Sequence, residues 1–419
     1  MKRLTITIVT VMALAIVADA APKKKRNTTA YEDLTEQVSD ALNSYDIAQA
    51  QELMERWEAS AKRAKRDMPA AAETLRARII LMDNMLQRVE DIVVVDSVTV
   101  PRSSLAAAIP LPAAAGRLNT RQILPPNVPA DDNTIVYTAN DGREIFWNAP
   151  DSDGLASLYH AGILDDGTLE NPVKVFPDID YATAYPFMLT DGSTLYFAAQ
   201  DPATSIGGYD LYMTRRDDES GDFLEPVNLG MPYNSPYNDI LIAIDTDNNI
   251  GWWATDRNSL DSDSITIYTY IPNKTRRNLD VTRQDLADRA FVTDIAATRT
   301  DDIDIAAIRA RISTNAAARS EDTQNADPRL PYPFSIEGRG VYYTLGDFRS
   351  TEAQSLMKDY LRQYNLDRAH RRQLDILRQR YAAGDKTIAA DIRNLEDTIS
   401  AAVPTLRRLR NAVIRAELL

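Results

Sequence analysis

Between Thr28 and about Val89, apolar side chains return every three or four residues: Tyr31, Leu34, Val38, Leu42, then Ala50, Leu53, Trp57, then Leu75, Ile79, Met82, Leu86. An α-helix turns once in about 3.6 residues, so each series lines one helix face and three helices are predicted. Asp46, after Tyr45, is placed to cap the second helix, which makes the first two an antiparallel pair. Pro69 suits the first turn of the third, where its missing N–H has no partner to lose. A β-branched run, Asp91 to Val100, and an Ala/Pro-rich stretch, Ser104 to Ala115, come next. They suggest a helical module over 21–95 and a linker over 96–119.

From 120 to 350 the pattern becomes short aromatic and β-branched runs between Asp, Gly, Asn and Pro, the mark of a mainly β segment with tight turns. Comparison of this segment with itself yields a repeat. Asp132 to Tyr137, Asp191 to Phe197 and Asn248 to Trp253 each join a turn to an aromatic strand, and a second strand follows at Ala156 to Tyr159, Tyr209 to Tyr212 and Ile265 to Tyr268. Val136, Tyr196 and Trp252 serve as anchors. Asp280 to Asp327 fits no unit, and Ile303 to Ile312 reads as a helix inserted in or attached to the sheets. Gly340 to Tyr343 reads as a strand of the last unit.

Helical spacing returns over 351–419, in Ala353, Leu356, Tyr360, Leu361 and Tyr364, then Leu374, Leu377 and Tyr381. Ala383-Gly384-Asp385 is a stop followed by a cap, so a helical hairpin is expected. Its second arm carries Ile388, Ile392, Leu395, Ile399 and Val403, a narrow stripe that packs on the first arm or on other helices, or forms a coiled-coil seam to a second copy. Pro404 is expected to kink or restart that arm.

The middle unit is the fullest: Asp191-Gly192-Ser193-Thr194-Leu195-Tyr196-Phe197-Ala198-Ala199, Gly207-Gly208-Tyr209-Asp210-Leu211-Tyr212, Glu225-Pro226-Val227-Asn228-Leu229-Gly230, then Asn234-Ser235-Pro236-Tyr237-Asn238-Asp239 opening the next. It resembles the WD40-like repeat called PD40, related to the propeller of TolB and frequent in Gram-negative envelope proteins. The third unit keeps Trp252 to Arg257 but lacks the paired glycines. The first helical pair is similar, more weakly, to a tetratricopeptide hairpin. The resemblance implies a β-propeller of about four blades between helical flanks, because a small sheet with two apolar faces buries both only by stacking. It also implies an interaction platform for an envelope protein. By the family pattern the innermost strands begin near Tyr185 and Tyr237, so Tyr185, Tyr237, Asp239 and Trp252 are the candidate binding residues.

Charge and the first 20 residues change the picture outward from there. Lys2 and Arg3, the apolar run Leu4 to Val17 and the small residues Ala18-Asp19-Ala20 make a secretory signal peptide over 1–20. A periplasmic or outer-envelope location follows, and no later run is long and apolar enough to span a bilayer. The net charge of −14 disfavours nucleic acid. The C-terminal segment opposes it with 13 Lys and Arg against 9 Asp and Glu, and could dock on acidic parts of this chain or on an anionic partner.

The sequence contains no cysteine, which removes disulfides, thiolate metal sites and thiol nucleophiles. The two histidines, His160 and His370, leave little room for histidine-based catalysis, and no P-loop, nucleophile elbow, HExxH or dinucleotide-binding pattern occurs. Asp245-Thr246-Asp247-Asn248-Asn249 starts like a calcium loop, but Ile250 stands where the sharp turn wants Gly and Asp256 where the last ligand should be Glu, so a turn is expected. No cofactor and no metal are expected. Three readings remain: a non-catalytic scaffold binding an envelope protein, a glycan-binding or glycan-processing propeller, and a self-assembling structural protein joined through its C-terminal helices.

Overall fold

The computed structural model describes residues 31–163, 168–217, 220–259, 263–299, 303–317, 329–336 and 338–419. The expected signal peptide lies outside the described residues. Helices α1 (Thr35–Asn43), α2 (Ile47–Ala64) and α3 (Ala70–Leu86) open the chain. The Asp46 carboxylate accepts from Gln49 N–H at 2.9 Å and caps α2. Pro69 takes the N-cap position of α3, just ahead of the first turn. Val38 and Leu42 of α1, Trp57 of α2 and Leu75 and Ile79 of α3 join the three helices into one apolar cluster that also takes in Ile206, Met231 and Leu279 from later in the chain.

Then come β1 (Val93–Pro101), the short α4 (Leu105–Ala108) and β2 (Arg117–Thr120). The next strands are β3 (Ile135–Thr138), β4 (Glu144–Pro150), β5 (Ala156–Ile163) and β6 (Leu169–Lys174). They are followed by β7 (Thr183–Met188), β8 (Thr194–Ala199), β9 (Asp210–Arg215) and β10 (Val227–Asn228), and by β11 (Asp239–Asp245), β12 (Ile250–Thr255) and β13 (Ser264–Ile271). Three antiparallel meander sheets result, ordered β2-β3-β4-β5-β6, β7-β8-β9-β10 and β11-β12-β13-β1. Residues 96–101, expected at the start of a linker, are part of the outer strand of the third sheet, where β1 pairs with β13 along its whole length. The β-branched run is what makes this stretch a good strand.

The first strand of each later sheet lies on the preceding sheet: β7 against β3, β4 and β5, and β11 against β7, β8 and β9. Between these layers runs the main core, with Phe146, Phe187, Phe197, Leu211, Leu241 and Trp253. Trp252 and Trp253 point to opposite faces of β12 and both are buried, so the third sheet is covered on both sides.

The structure moves the first repeat by one strand. Asp141-Gly142, not Asp132-Asn133, opens the strand equivalent to β8, because Gly142 and Gly192 occupy the same turn. In both, φ is +68°, the glycine N–H bonds the carbonyl three residues back, and the Asp carboxylate accepts the N–H two residues on. The equivalent anchors are therefore Phe146, Tyr196 and Trp252. The two neighbouring strands β3 and β4 both follow a polar turn and both carry aromatics, and only the pairing distinguishes them.

The paired glycines of the middle unit have a steric cause. A Cβ on Gly207 would stand 1.9 Å from the Tyr237 carbonyl oxygen, and one on Gly208 would stand 2.1 Å from Asn238 Oδ1. Gly208 N–H bonds Tyr237 O and Asp239 N–H bonds Tyr209 O, so this loop stitches the second sheet to the third. After the third sheet the chain turns helical, in α5 (Leu286–Phe291) and α6 (Ile305–Ala317).

Strand β15 (Gly340–Thr344) pairs with β14 (Arg329–Ile336) in a two-stranded sheet. It packs on α7 (Thr351–Ala382) and α8 (Ala389–Leu418) through Phe334, Phe348, Met357, Tyr360 and Val413. Gly340 to Tyr343 is thus a strand, but of this hairpin. Among the described residues there are three meander sheets and one hairpin, where about four blades were expected. Helix α8 runs unbroken through Pro404, with Ser400, whose carbonyl loses its helical partner, exposed to solvent. Of the predicted stripe, Ile388 and Ile399 are buried inside the chain. No helix among the described residues is long and apolar enough to cross a membrane.

Candidate functional site

The sheets have two ends, and each carries a distinct cluster. At the end where β7 and β11 begin, β7 bulges between Ala184 and Phe187, and Tyr185 sits in the bulge at φ +56°. A bulky residue pays a steric penalty in that region, so the surrounding structure must hold it there. Its ring meets that of Tyr209 edge to face at 5.9 Å. Burial pushes its hydroxyl pKa up, while nearby Arg102 pulls the other way. Arg102 in turn reaches Asp256 at 3.3 Å, and Asp256 accepts from Asn238 Nδ2 at 2.8 Å. Tyr185, Tyr209, Arg102, Asp256 and Asn238 are all part-exposed.

The four residues singled out from the sequence separate in space and in role. Tyr185 belongs to this cluster, and Tyr237, adjacent to Asn238, is exposed at its margin with its ring 6.2 Å from that of Phe291. Asp239 is wholly buried and spent: its carboxylate accepts from Arg257 Nη2 at 2.7 Å and from Ser235 N–H and Oγ at 2.6 and 2.8 Å. Trp252 is a core side chain of β12. The Asp245 carboxylate accepts from Asn248 N–H and Nδ2, so that segment is a turn held by its own side chains.

At the opposite end, the two Asp-Gly turns of the first and second sheets lie under α8. Between them is a cavity of about 370 Å³. Glu144 from β4, Arg216 from just past β9, Arg371 from α7, and Arg407 and Arg410 from α8 supply charge to it, and His160 of β5 lines it too. Ile399, Val403 and Leu406 supply an apolar wall, and Val173 and Val403 are exposed apolar side chains on it.

Most of that charge is committed. Glu170 is bonded by Arg371, and Asp367 of α7 by both Arg143 and Arg371, which ties the C-terminal hairpin to the first sheet. Glu396 accepts from Arg378 at 2.7 Å. Asp191 is occupied by Ser193 N–H, Thr194 N–H and Thr194 Oγ1 of its own turn. Glu144 accepts both its bonds from Arg216 Nη1, at 3.0 and 3.2 Å, and although burial opposes it, Arg216 and His160 leave its pKa lowered. His160 stacks on Phe146 at 5.6 Å, and burial lowers its pKa, so the imidazole is neutral at neutral pH. Burial raises the pKa of Asp141.

Arg216 and Arg410 stand apart. Arg216 Nε and Nη2 and Arg410 Nη1 are buried and make no hydrogen bond among the described residues. Sequence reasoning passed over both arginines and the cavity. The Asp-Gly turns and the basic run Arg407-Arg408-Leu409-Arg410 were visible, but their meeting was not.

No family model, no curated protein and no solved structure matches this chain.

Proposed function

We propose that this is an exported, non-catalytic binding protein of the cell envelope, built on a PD40-like propeller stack, which offers the strand-start end of its sheets to a protein partner. The observation that carries this reading is Tyr185, a large aromatic held at positive φ in a strand bulge, where a relaxed strand would place it at no steric cost. Around it are the residue types that dominate protein interfaces: tyrosines with an arginine and a carboxylate, part-exposed on a rigid sheet end. The exported location rests on the signal-like N-terminus. The propeller reading rests on the repeated laying of one meander on the next, and on β1 joining a sheet whose other strands come much later in the chain.

The test is site-specific photocrosslinking in intact cells, with the probe at Tyr237 and, as control, at Ile80 on exposed α3. Recurrent capture of one envelope protein from position 237 alone supports the reading. Equal capture from both positions, or none from 237, removes it.

A further inference from the structure

Two of the arginines that line the cavity at the other end of the sheets, Arg216 and Arg410, carry buried donors that bond to no partner among the described residues. Arg216 is 6 % exposed. One ring lies on its guanidinium carbon at 4.8 Å, that of Phe223, and Phe146 lies at 5.9 Å, while Nη1 is taken by Glu144. What remains is Nε with Nη2, the side-on fork that grips two oxygens of one carboxylate or phosphate in parallel. Leaving such donors buried without an acceptor costs more than a neutral hydrogen bond gains. Arg410 contributes a third such donor, Nη1, from α8; a Cβ on Gly192 in the facing turn would stand 3.9 Å from it.

None of the cavity's anions hydrogen-bonds these donors, although Asp141 feels the charge of Arg410. Glu170, Glu396 and Asp191 are bonded elsewhere, and Glu144 already holds the other edge of Arg216. Asp141 accepts the N–H of Arg143 within its own turn. Beside the free donors runs the apolar wall of Ile399, Val403 and Leu406, open enough that Val403 is 36 % exposed. A cavity of about 370 Å³ falls at the lower end of the range of small-molecule sites.

We propose that this cavity binds a small amphiphilic anion, with a carboxylate or phosphate head on Arg216 and Arg410 and a short apolar body along Ile399, Val403 and Leu406 of α8. The site lies at the other end of the sheets from Tyr185, so it stands or falls independently of the protein-partner reading.

Calorimetric titration of the full chain with octanoate and with octyl phosphate tests it, with octanol and inorganic phosphate supplying the body and the head separately. Saturable binding of at least one amphiphilic anion is expected, tighter than either part alone, and the two arms identify the head group. Arg410→Gln and Arg216→Gln should each weaken it at least about tenfold, the loss of one charge-assisted bond. Arg410 is part-exposed, so its variant tests the site even if Arg216→Gln fails to fold. The two histidines give a direct locator: His160 lines the cavity, so its side-chain NMR signals should move on titration while those of His370 on α7 stay. Failure of both anions to saturate, octanol binding as tightly as they do, undiminished affinity in the folded arginine variants, or a response at His370 without one at His160 would each overturn the proposal.

Discussion

Arg257 and Arg216 are equally hidden from solvent, at 4 % and 6 % exposure, yet they sit in junctions of opposite character. Arg257, between the second and third sheets, spends its guanidinium on Asp239, the Tyr233 carbonyl, Thr255 Oγ1 and the Phe291 carbonyl. Around it, the glycine pair, Asn234 and Asp210 close the junction by hydrogen bonds and direct backbone contact. Arg216, where the first two sheets meet α8, has one acceptor on one edge and a cavity beside it. A buried charge with every nitrogen bonded fixes the arrangement of its neighbours. One with donors left over points to something the chain does not itself provide.

Four substitutions and one titration separate the two junctions. Arg257→Met should be the costliest, about 3–5 kcal/mol in urea unfolding, because the Asp239 carboxylate would be left in the interior without its partner. Gly207→Ala should cost about 1–3 kcal/mol by the same measurement, since the new methyl meets backbone carbonyls that can yield only by parting the sheets. A cost within a few tenths would show that the junction yields more easily than its packing implies.

Asp210 sharpens the comparison through pH. Burial raises its pKa to about 7 despite bonds from Ile206 N–H, Gly207 N–H and Asn228 Nδ2. The folded protein therefore holds a proton between pH 4 and 7 that the unfolded chain releases. Its contribution to stability is full below the unfolded pKa, falls as pH rises through that window and is gone above it, with a slope of up to about 1.4 kcal/mol per pH unit. Unfolding of Asp210→Asn measured from pH 4.5 to 8 should lack that slope. An unchanged profile would place the titrating proton elsewhere.

On the cavity side the effects on folding are smaller. Arg216→Met should change stability by about 1 kcal/mol or less, because Glu144 keeps 30 % side-chain exposure and two unanswered donors disappear with the arginine. A loss as large as that of Arg257→Met would make the two arginines alike and the cavity incidental. Last, His160 followed by NMR should titrate below the ordinary 6.5, the direction that burial imposes. A midpoint above 6.5 would mean that Glu144 governs the imidazole instead.

Much of this was legible in the chain, but unevenly. The second unit announced itself completely, because its Asp-Gly turn, glycine pair and closing Asn-Ser-Pro segment each answer a local steric or hydrogen-bonding demand. The first unit was taken one strand early at Val136, since β3 and β4 offer the same local signal. Asp239 and Trp252 read as binding candidates because polar and aromatic residues in a strand carry no label for the face they occupy. Tyr185 was found by its position at a strand start, while the strain that distinguishes it exists only in the folded backbone.

What the sequence determined by itself is what neighbouring residues settle among themselves: helices with their caps, strands with their turns, and the repeat that makes one meander resemble the next. Tertiary structure alone decided which donors were left unanswered. Arg216 meets Glu144 across 72 residues and Arg371 meets Glu170 across 201, and whether a guanidinium finds an acceptor at such separations depends on how sheets and helices dock. Hydrogen bonds reach only about 3 Å, so a small difference in docking separates a closed junction from a cavity lined with free charge.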